Sequence, residues 1–93
     1  MMPKAGFAWD ERKRVVNLEK HGIDFCDAAG IFDGPHLTVE TIRNGEARKV
    51  SLGRVAQSVI AVVWTERAGV VRIISARAAR RHERQAYTAR FGH

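Results

Sequence analysis

"SVIAVVWTERAGVVRIISAR" spans residues 58–77, and its reading decides the fold. Ser58 to Glu66 is the most apolar run in the chain. It is too short for a membrane helix and rich in valine, so it predicts a central strand buried on both faces. Ala68 and Gly69 make a tight turn. "VVRIISAR" (70–77) then returns as a second strand, with Arg77 at its exit.

Working outward, the period of two continues upstream. "HLTVETIR" (36–43) alternates and is β-branched, "NGE" (44–46) is a strong hairpin turn, and "RKVSLGRV" (48–55) is the return strand. Downstream, residues 80–91 read as a final helix with Tyr87 and Phe91 four apart. Near the N-terminus, Asp10 is a good helix N-cap for "ERKRVVNLEKHG", on which Val15 and Leu18 form a narrow apolar stripe. Gly22 sits where a helix ends, and His21 before it is placed to bond the orphan carbonyls of the last turn. Asp24 caps a second helix whose Phe25, Ala28, Ala29 and Phe32 share one face, and "DGP" (33–35) stops it. "FAW" (7–9) has the composition of a short edge strand.

The expectation is therefore one α+β domain over residues 1–93: two N-terminal helices, a four-stranded antiparallel meander and one C-terminal helix. The N-terminal helices should cover one face of the sheet. The terminal helix is too short to cover the other, so part of that face should stay open for binding.

Composition narrows the class. Of the 93 residues, 45% are hydrophobic and 28% charged, a globular balance. No apolar run approaches the roughly 20 residues that cross a bilayer. "MMPKAGFAWDERKR" lacks the apolar stretch of a signal peptide, and Cys26 is the sole cysteine. A cytoplasmic protein without membrane contact is expected, with Cys26 a structural core residue. The net charge is +6, and its placement is lopsided. Residues 1–66 hold nine Lys/Arg and nine Asp/Glu, whereas residues 67–93 hold seven Arg and one acid, Glu83. The whole excess is arginine, whose planar fork grips phosphate through two parallel hydrogen bonds. A nucleic-acid partner is the leading reading, and a solvated basic face or an acidic protein partner is the alternative.

The histidines at 21, 36, 82 and 93 form no i, i+4 pair, and there is no Cys-x-x-Cys, so neither a metal nor a cofactor is expected. "WTER" (64–67) closes the central strand. Alternation puts Trp64 and Glu66 on one face, Thr65 and Arg67 on the other. Trp64 is either a core residue or a stacking platform for a base, and Glu66 either pairs across strands with Arg48, Arg72 or Arg77 or takes a proton. By the same parity Arg72 and Arg77 point to opposite faces. Glu66, Arg77, Arg80, Arg84 and Tyr87 are expected in one neighbourhood. RNA carries its own nucleophile, the 2′-hydroxyl, so cleavage there requires only a base, cations for the phosphorane and an acid. Glu66 or His82 suits the base, Arg77 with Arg67 or Arg80 the cations, and His82 or Tyr87 the acid. The same arginines could equally hold nucleic acid without cutting it.

With these residues in view, the chain resembles the BrnT toxins of bacterial type II toxin–antitoxin pairs. The likeness runs from Phe7 to Tyr87. It is carried by Trp9, Asp10, Lys13, Asn17, Lys20, His21, Gly22, Ile23, Phe25 and Ala28, and by Thr65, Glu66, Arg67, Arg72, Ile73, Ile74, Ser75, Ala76, Arg77, Glu83 and Tyr87. The resemblance implies a RelE-like fold and an endoribonuclease that blocks translation by cutting RNA; whether that RNA is ribosome-associated mRNA is left open. It also implies a BrnA-like ribbon-helix-helix antitoxin, through which alone promoter DNA is bound. Glu66, Arg67, Arg77 and Tyr87 become the expected catalytic residues, and Trp64, Arg72, Arg80 and Arg84 the expected RNA contacts. One position departs from the pattern. Relatives carry Ser or Thr where this chain has Arg80, three before Glu83, and a guanidinium cannot supply the acceptor of a capping box. The last helix is expected to start later or to fray.

Overall fold

The computed structural model describes residues 6–92. Its elements are strand β1 (Phe7–Trp9), helix α1 (Glu11–His21), the short helix α2 (Phe25–Ala29) with a 3-10 turn over Gly30–Asp33, strands β2 (His36–Arg43), β3 (Glu46–Val55), β4 (Ser58–Arg67) and β5 (Val70–Ala78), and helix α3 (Arg81–Phe91). The α+β class and the meander β2–β3–β4–β5 hold. The sheet has five strands rather than four, in the order β1-β5-β4-β3-β2. Phe7–Trp9 lies parallel to β5, with Phe7, Ala8 and Trp9 opposite Val71, Arg72 and Ile73. This pairing follows from tertiary placement: β1 adds to the outer edge of a strand more than 60 residues away, a contact that local pattern does not encode. β4 is central, as its composition requires, with Ile60, Ala61 and Val62 all buried.

The turns obey local chemistry. Asn44 and Gly45 both adopt positive φ, at 52° and 77°, which is the two-residue turn that matches strand twist. Gly53 carries a different constraint. A Cβ built there would stand 2.5 Å from Ile31 Cβ, so the 3-10 turn rests directly on the backbone of β3.

The two sheet faces are unequal. On the helix face, Phe25, Ala28, Ala29 and Ile31 pack onto Ile60, Val62, Trp64, Ile73 and Ala76. On the other face, α3 lays Tyr87 and Phe91 over Leu52, Ala61, Leu37, Val50 and Val59. Of the apolar face predicted for the second helix, Phe25, Ala28 and Ala29 are buried; the α-helix ends at Ala29, so Phe32 falls in the 3-10 turn and is only half-buried. The stripe expected on α1 is not: Val15, Val16 and Leu18 are all exposed.

Helix α1 is held instead by polar contacts. Asp10 caps it, accepting from the Arg12 amide at 2.8 Å. Arg14 donates to Glu11 at 2.7 Å and to Asp24 at 2.8 Å. Asn17, 5% exposed, is its one buried side chain. The Asn17 amide donates to the carbonyls of Ile23 and Ala76, both at 2.9 Å, and its oxygen accepts from the Ala76 N–H at 3.0 Å. All three of these bonds involve backbone groups that water cannot easily replace.

Asn17→Ala is therefore expected to destabilise the fold by about 3 kcal/mol, because it orphans buried donors and acceptors. Asn17→Leu, which keeps the volume, should not restore the loss. Urea unfolding of the three proteins, followed by circular dichroism, measures both.

Candidate functional site

The register of β4 and β5 breaks between Val63 and Trp64. Val63 faces Ser75, whereas Trp64 faces Ile73, so Ile74 is an extra residue on β5. This β-bulge reverses the strand's phase. Arg72, opposite Thr65, and Arg77, opposite Ala61, consequently lie on the same face. The parity argument, which set them on opposite faces, is corrected by that one residue. The shared face is the one α3 only partly covers.

Beyond α3 this open face carries three guanidinium groups on three adjacent strands: Arg48 on β3, Arg67 on β4 and Arg72 on β5. With strands about 4.8 Å apart, Arg48 and Arg72 straddle β4 at a backbone separation of about 10 Å. Thr65, 8% exposed, lies in the floor between them. Arg48 reaches Glu46 only at 3.9 Å, and its Nε is buried without a hydrogen-bond partner. An orphaned charged donor of this kind is costly unless something else supplies the acceptor. Among the described residues neither Arg67 nor Arg72 is in an ion pair.

The other expected site residues are distributed differently. Trp64 is 8% exposed on the helix face, with its Nε1 donating to Ser51 Oγ at 2.8 Å and its ring edge-on to Phe32 at 5.5 Å. It is a core residue and offers no stacking surface. Glu66 follows the parity of Trp64 onto the helix face, where it is exposed and lies 3.7 Å from Lys49. It does not share the neighbourhood expected with Arg77, Arg80, Arg84 and Tyr87. Glu66 pairs with Val71, and Arg77 lies six residues further along β5, roughly 20 Å away. Tyr87 is 3% exposed and donates to the Pro35 carbonyl at 3.2 Å, so its hydroxyl ties α3 to the start of β2. That burial places it as packing rather than as an exposed proton donor.

Arg77 sits where the open face meets α3, and its guanidinium is engaged. It donates to both oxygens of Glu83, at 2.7 and 3.0 Å. Glu83 also accepts from the Arg80 backbone N–H at 2.8 Å. That is one half of a capping box, the half that Arg80 does not disable. Helix α3 begins at Arg81 with Arg80 as its N-cap, the start the capping-box spacing gives, so the later start expected from the loss of a Ser or Thr cap does not occur. Arg84 donates to the Ala79 carbonyl at 2.7 Å, and Arg80 and Arg84 are both solvent-exposed. The hydrogen bonds from Arg77 hold the Glu83 carboxyl below its ordinary value of 4.5, against the opposing effect of burial.

Elsewhere, burial pushes the Cys26 thiol up, aided by the charge of Asp24, which keeps it neutral. His21 makes no hydrogen bond to a helix carbonyl among the described residues. It lines a cavity of about 310 Å³ between α1 and β5 with Arg12, Lys13, Lys20 and Ser75. Pattern reading assigned no role to this cavity, because its walls come from residues about 60 positions apart. Among the described residues no three His, Cys, Asp or Glu side chains converge to hold a metal ion. No described helix is long and apolar enough to cross a membrane.

Residues 9–83 match the family model described as the ribonuclease toxin, BrnT, of type II toxin–antitoxin systems. The chain belongs to this family. No curated protein matched it in a direct search. The BrnT assignment makes the protein a ribonuclease toxin of a type II system, with RNA as substrate and an antitoxin as partner. The matched span ends at Glu83, so it includes the open-face arginines and the Arg77–Glu83 clamp.

Because the Glu83 pKa is lowered in the folded state, the clamp stabilises fully above about pH 4.5 and is lost as pH falls through the lower folded value. Glu83→Gln should cost about 2 kcal/mol at neutral pH, since it leaves Arg77 half-buried and unpaired. The gap between this variant and the parent should narrow progressively as the pH falls below 4.5. Thermal melts of both proteins from pH 3 to 7 test the sign. By the same contacts, Arg77→Ala should lower stability, so any change in activity would not report on chemistry alone.

Proposed function

We propose that the open face of the sheet is where this BrnT protein grips and cleaves RNA, by metal-independent attack of the 2′-hydroxyl. The observation that carries this reading is the set of three guanidinium groups, Arg48, Arg67 and Arg72, on adjacent strands of an uncovered face, with Arg48 Nε lacking an acceptor. A phosphodiester laid across β4 would supply acceptors to Arg67 and Arg72 and to the exposed end of the Arg48 guanidinium, whose Nε is itself buried.

In this reaction the 2′-oxygen bonds to the adjacent phosphorus and the bond to the 5′-oxygen breaks. A cyclic phosphate and a 5′-hydroxyl result. The negative charge that builds on the phosphorane oxygens is what the arginines are suited to hold. They are fixed by the strand backbone and need little reorganisation. Arg77 lies further along the same face and extends the path for the strand towards α3, where Arg80 and Arg84 are exposed. Glu66 lies across the sheet from these cations, so its expected service as the base has no geometric support. Cleavage of mRNA in this way would arrest translation. The RelE-like fold and a BrnA-like ribbon-helix-helix antitoxin, contacting promoter DNA on behalf of the pair, fit the same reading. The antitoxin would neutralise the toxin by covering the open face, and the basic excess there favours an acidic covering segment.

Arg67→Ala and Arg72→Ala are each expected to lower RNA cleavage about a hundredfold while leaving the melting temperature nearly unchanged. Glu66→Gln should keep cleavage within a few-fold of the parent. Purified variants assayed on a defined transcript, with and without ribosomes, give the comparison. Full activity in both arginine variants would sink the open-face site, and a hundredfold loss in Glu66→Gln would restore that carboxylate as the base.

A further inference from the structure

We infer that the groove between α1 and the outer edge of β5 is a nucleotide subsite. It would take one nucleotide of the RNA strand beyond the open face. The inference rests on the ribonuclease reading above and deepens it.

The groove exists because β1 stops at Trp9 while β5 continues to Ala78. Past that point α1 lies beside β5 in place of a strand, joined to it through Asn17 and Ala76. The space left between them measures about 310 Å³. Its apolar lining comes from Val16 of α1, itself solvent-exposed, and from Ile74, the bulged residue of β5. Its rim is cationic. Arg12 and Lys13 stand one end of α1's exposed face, Lys20 and His21 the other, two turns apart. No carboxylate lines the groove, and among the described residues none pairs with these four side chains.

An apolar lining beside a rim of unpaired cations selects a ligand that is flat and apolar in one part and anionic in another. A nucleotide has that division: the base covers Val16 and Ile74, and the phosphate meets the rim. The volume lies at the low end for small-molecule sites, enough for one such unit. The groove is also continuous with the open face. Ser75 lines it, yet faces Val63 across the hairpin on the side that carries Arg72 and Arg77. A strand crossing the open face therefore reaches the groove by turning round the edge of β5. The bulge at Ile74 serves both places: it aligns Arg72 with Arg77 and supplies part of the groove's apolar lining.

The test uses a 2′-O-methyl RNA oligonucleotide, which cannot be cut, bound to the full chain across a salt series and read by fluorescence anisotropy. Lys13→Ala/Lys20→Ala should weaken binding roughly tenfold and flatten the slope of log K against log salt by about 1.4, or about 0.7 per lost contact. Arg72→Ala should flatten it by about 0.7 on its own, and the two effects should add. An unchanged slope in the double lysine variant, with a reduced one in Arg72→Ala, overturns the groove and leaves the open face standing. If the parent itself neither binds nor cuts RNA, the ribonuclease reading falls, and this inference with it. Loss of antitoxin affinity without loss of RNA affinity would make the groove a protein-docking site and overturn the inference. A second measurement separates a nucleotide from its phosphate. Methyl resonances of Val16 and Ile74 should shift with a nucleoside monophosphate and not with inorganic phosphate. Equal shifts with both would reduce the groove to an anion site and refute the claim.

Discussion

A single carboxamide stands in for a missing strand. β5 runs five residues past the end of β1, and its outer edge would there present bare N–H and C=O groups. Asn17 meets Ala76 with the donor and acceptor that a neighbouring strand would have offered, and fastens the Ile23 carbonyl with its second N–H. The rest of the molecule depends on this exchange. It docks α1 without burying the helix's valines, so the outward surface of α1 is free to carry unpaired cations. Pairing with β1 ends at Ile73, next to the extra residue Ile74, so the bulge disturbs the ladder on the β4 side alone.

How far the sequence disclosed this arrangement depends on the range of the forces involved. Local signals were legible. Asp10, Asp24, Gly22 and Asn44-Gly45 act through their own backbone, and each lies where its chemistry requires. The valine run of β4 is central because nothing else in the chain could tolerate burial on both faces. What was hidden is non-local or a matter of phase. The bulge at Ile74 adds one residue to one strand and leaves no mark in composition, yet it moves Arg77 from one face to the other. Asn17 looks like an ordinary polar residue on an amphipathic helix, while the flanking valines look like its core. The structure reverses those roles. Pairing by residue type likewise drew Glu66 towards Arg77, whereas a hairpin places its turn end and its open end a full strand length apart.

The last helix shows how one substitution is absorbed. Arg80 removes the side-chain acceptor of a capping box, but the reciprocal bond belongs to Glu83 and survives. Glu83 is held in place by Arg77 as well, so the start of α3 is fixed through the sheet rather than by the N-cap side chain. One carboxylate therefore serves the helix end and the strand exit together. It is also the only acid in the last 27 residues, and among the described residues no other guanidinium group of that stretch is in an ion pair.

That imbalance is affordable because the sheet divides its duties between its faces. The aromatic and branched residues that dominate the core, including Phe25, Trp64, Ile73 and Ile31, gather on the helix face. The opposite face relies on one eleven-residue helix, anchored by Tyr87 at one end of the strands. Unpaired like charges destabilise a compact state, and burying one of them without a partner costs more. A chain selected for stability alone would have covered or neutralised Arg48, Arg67 and Arg72. Arg48 has only the distant Glu46, and Arg67 and Arg72 have no ion-pair partner among the described residues; on the proposed reading an anion arriving from outside would supply one. On the reading proposed above, affinity for a phosphate chain would draw on the same like-charge repulsion that the empty face carries.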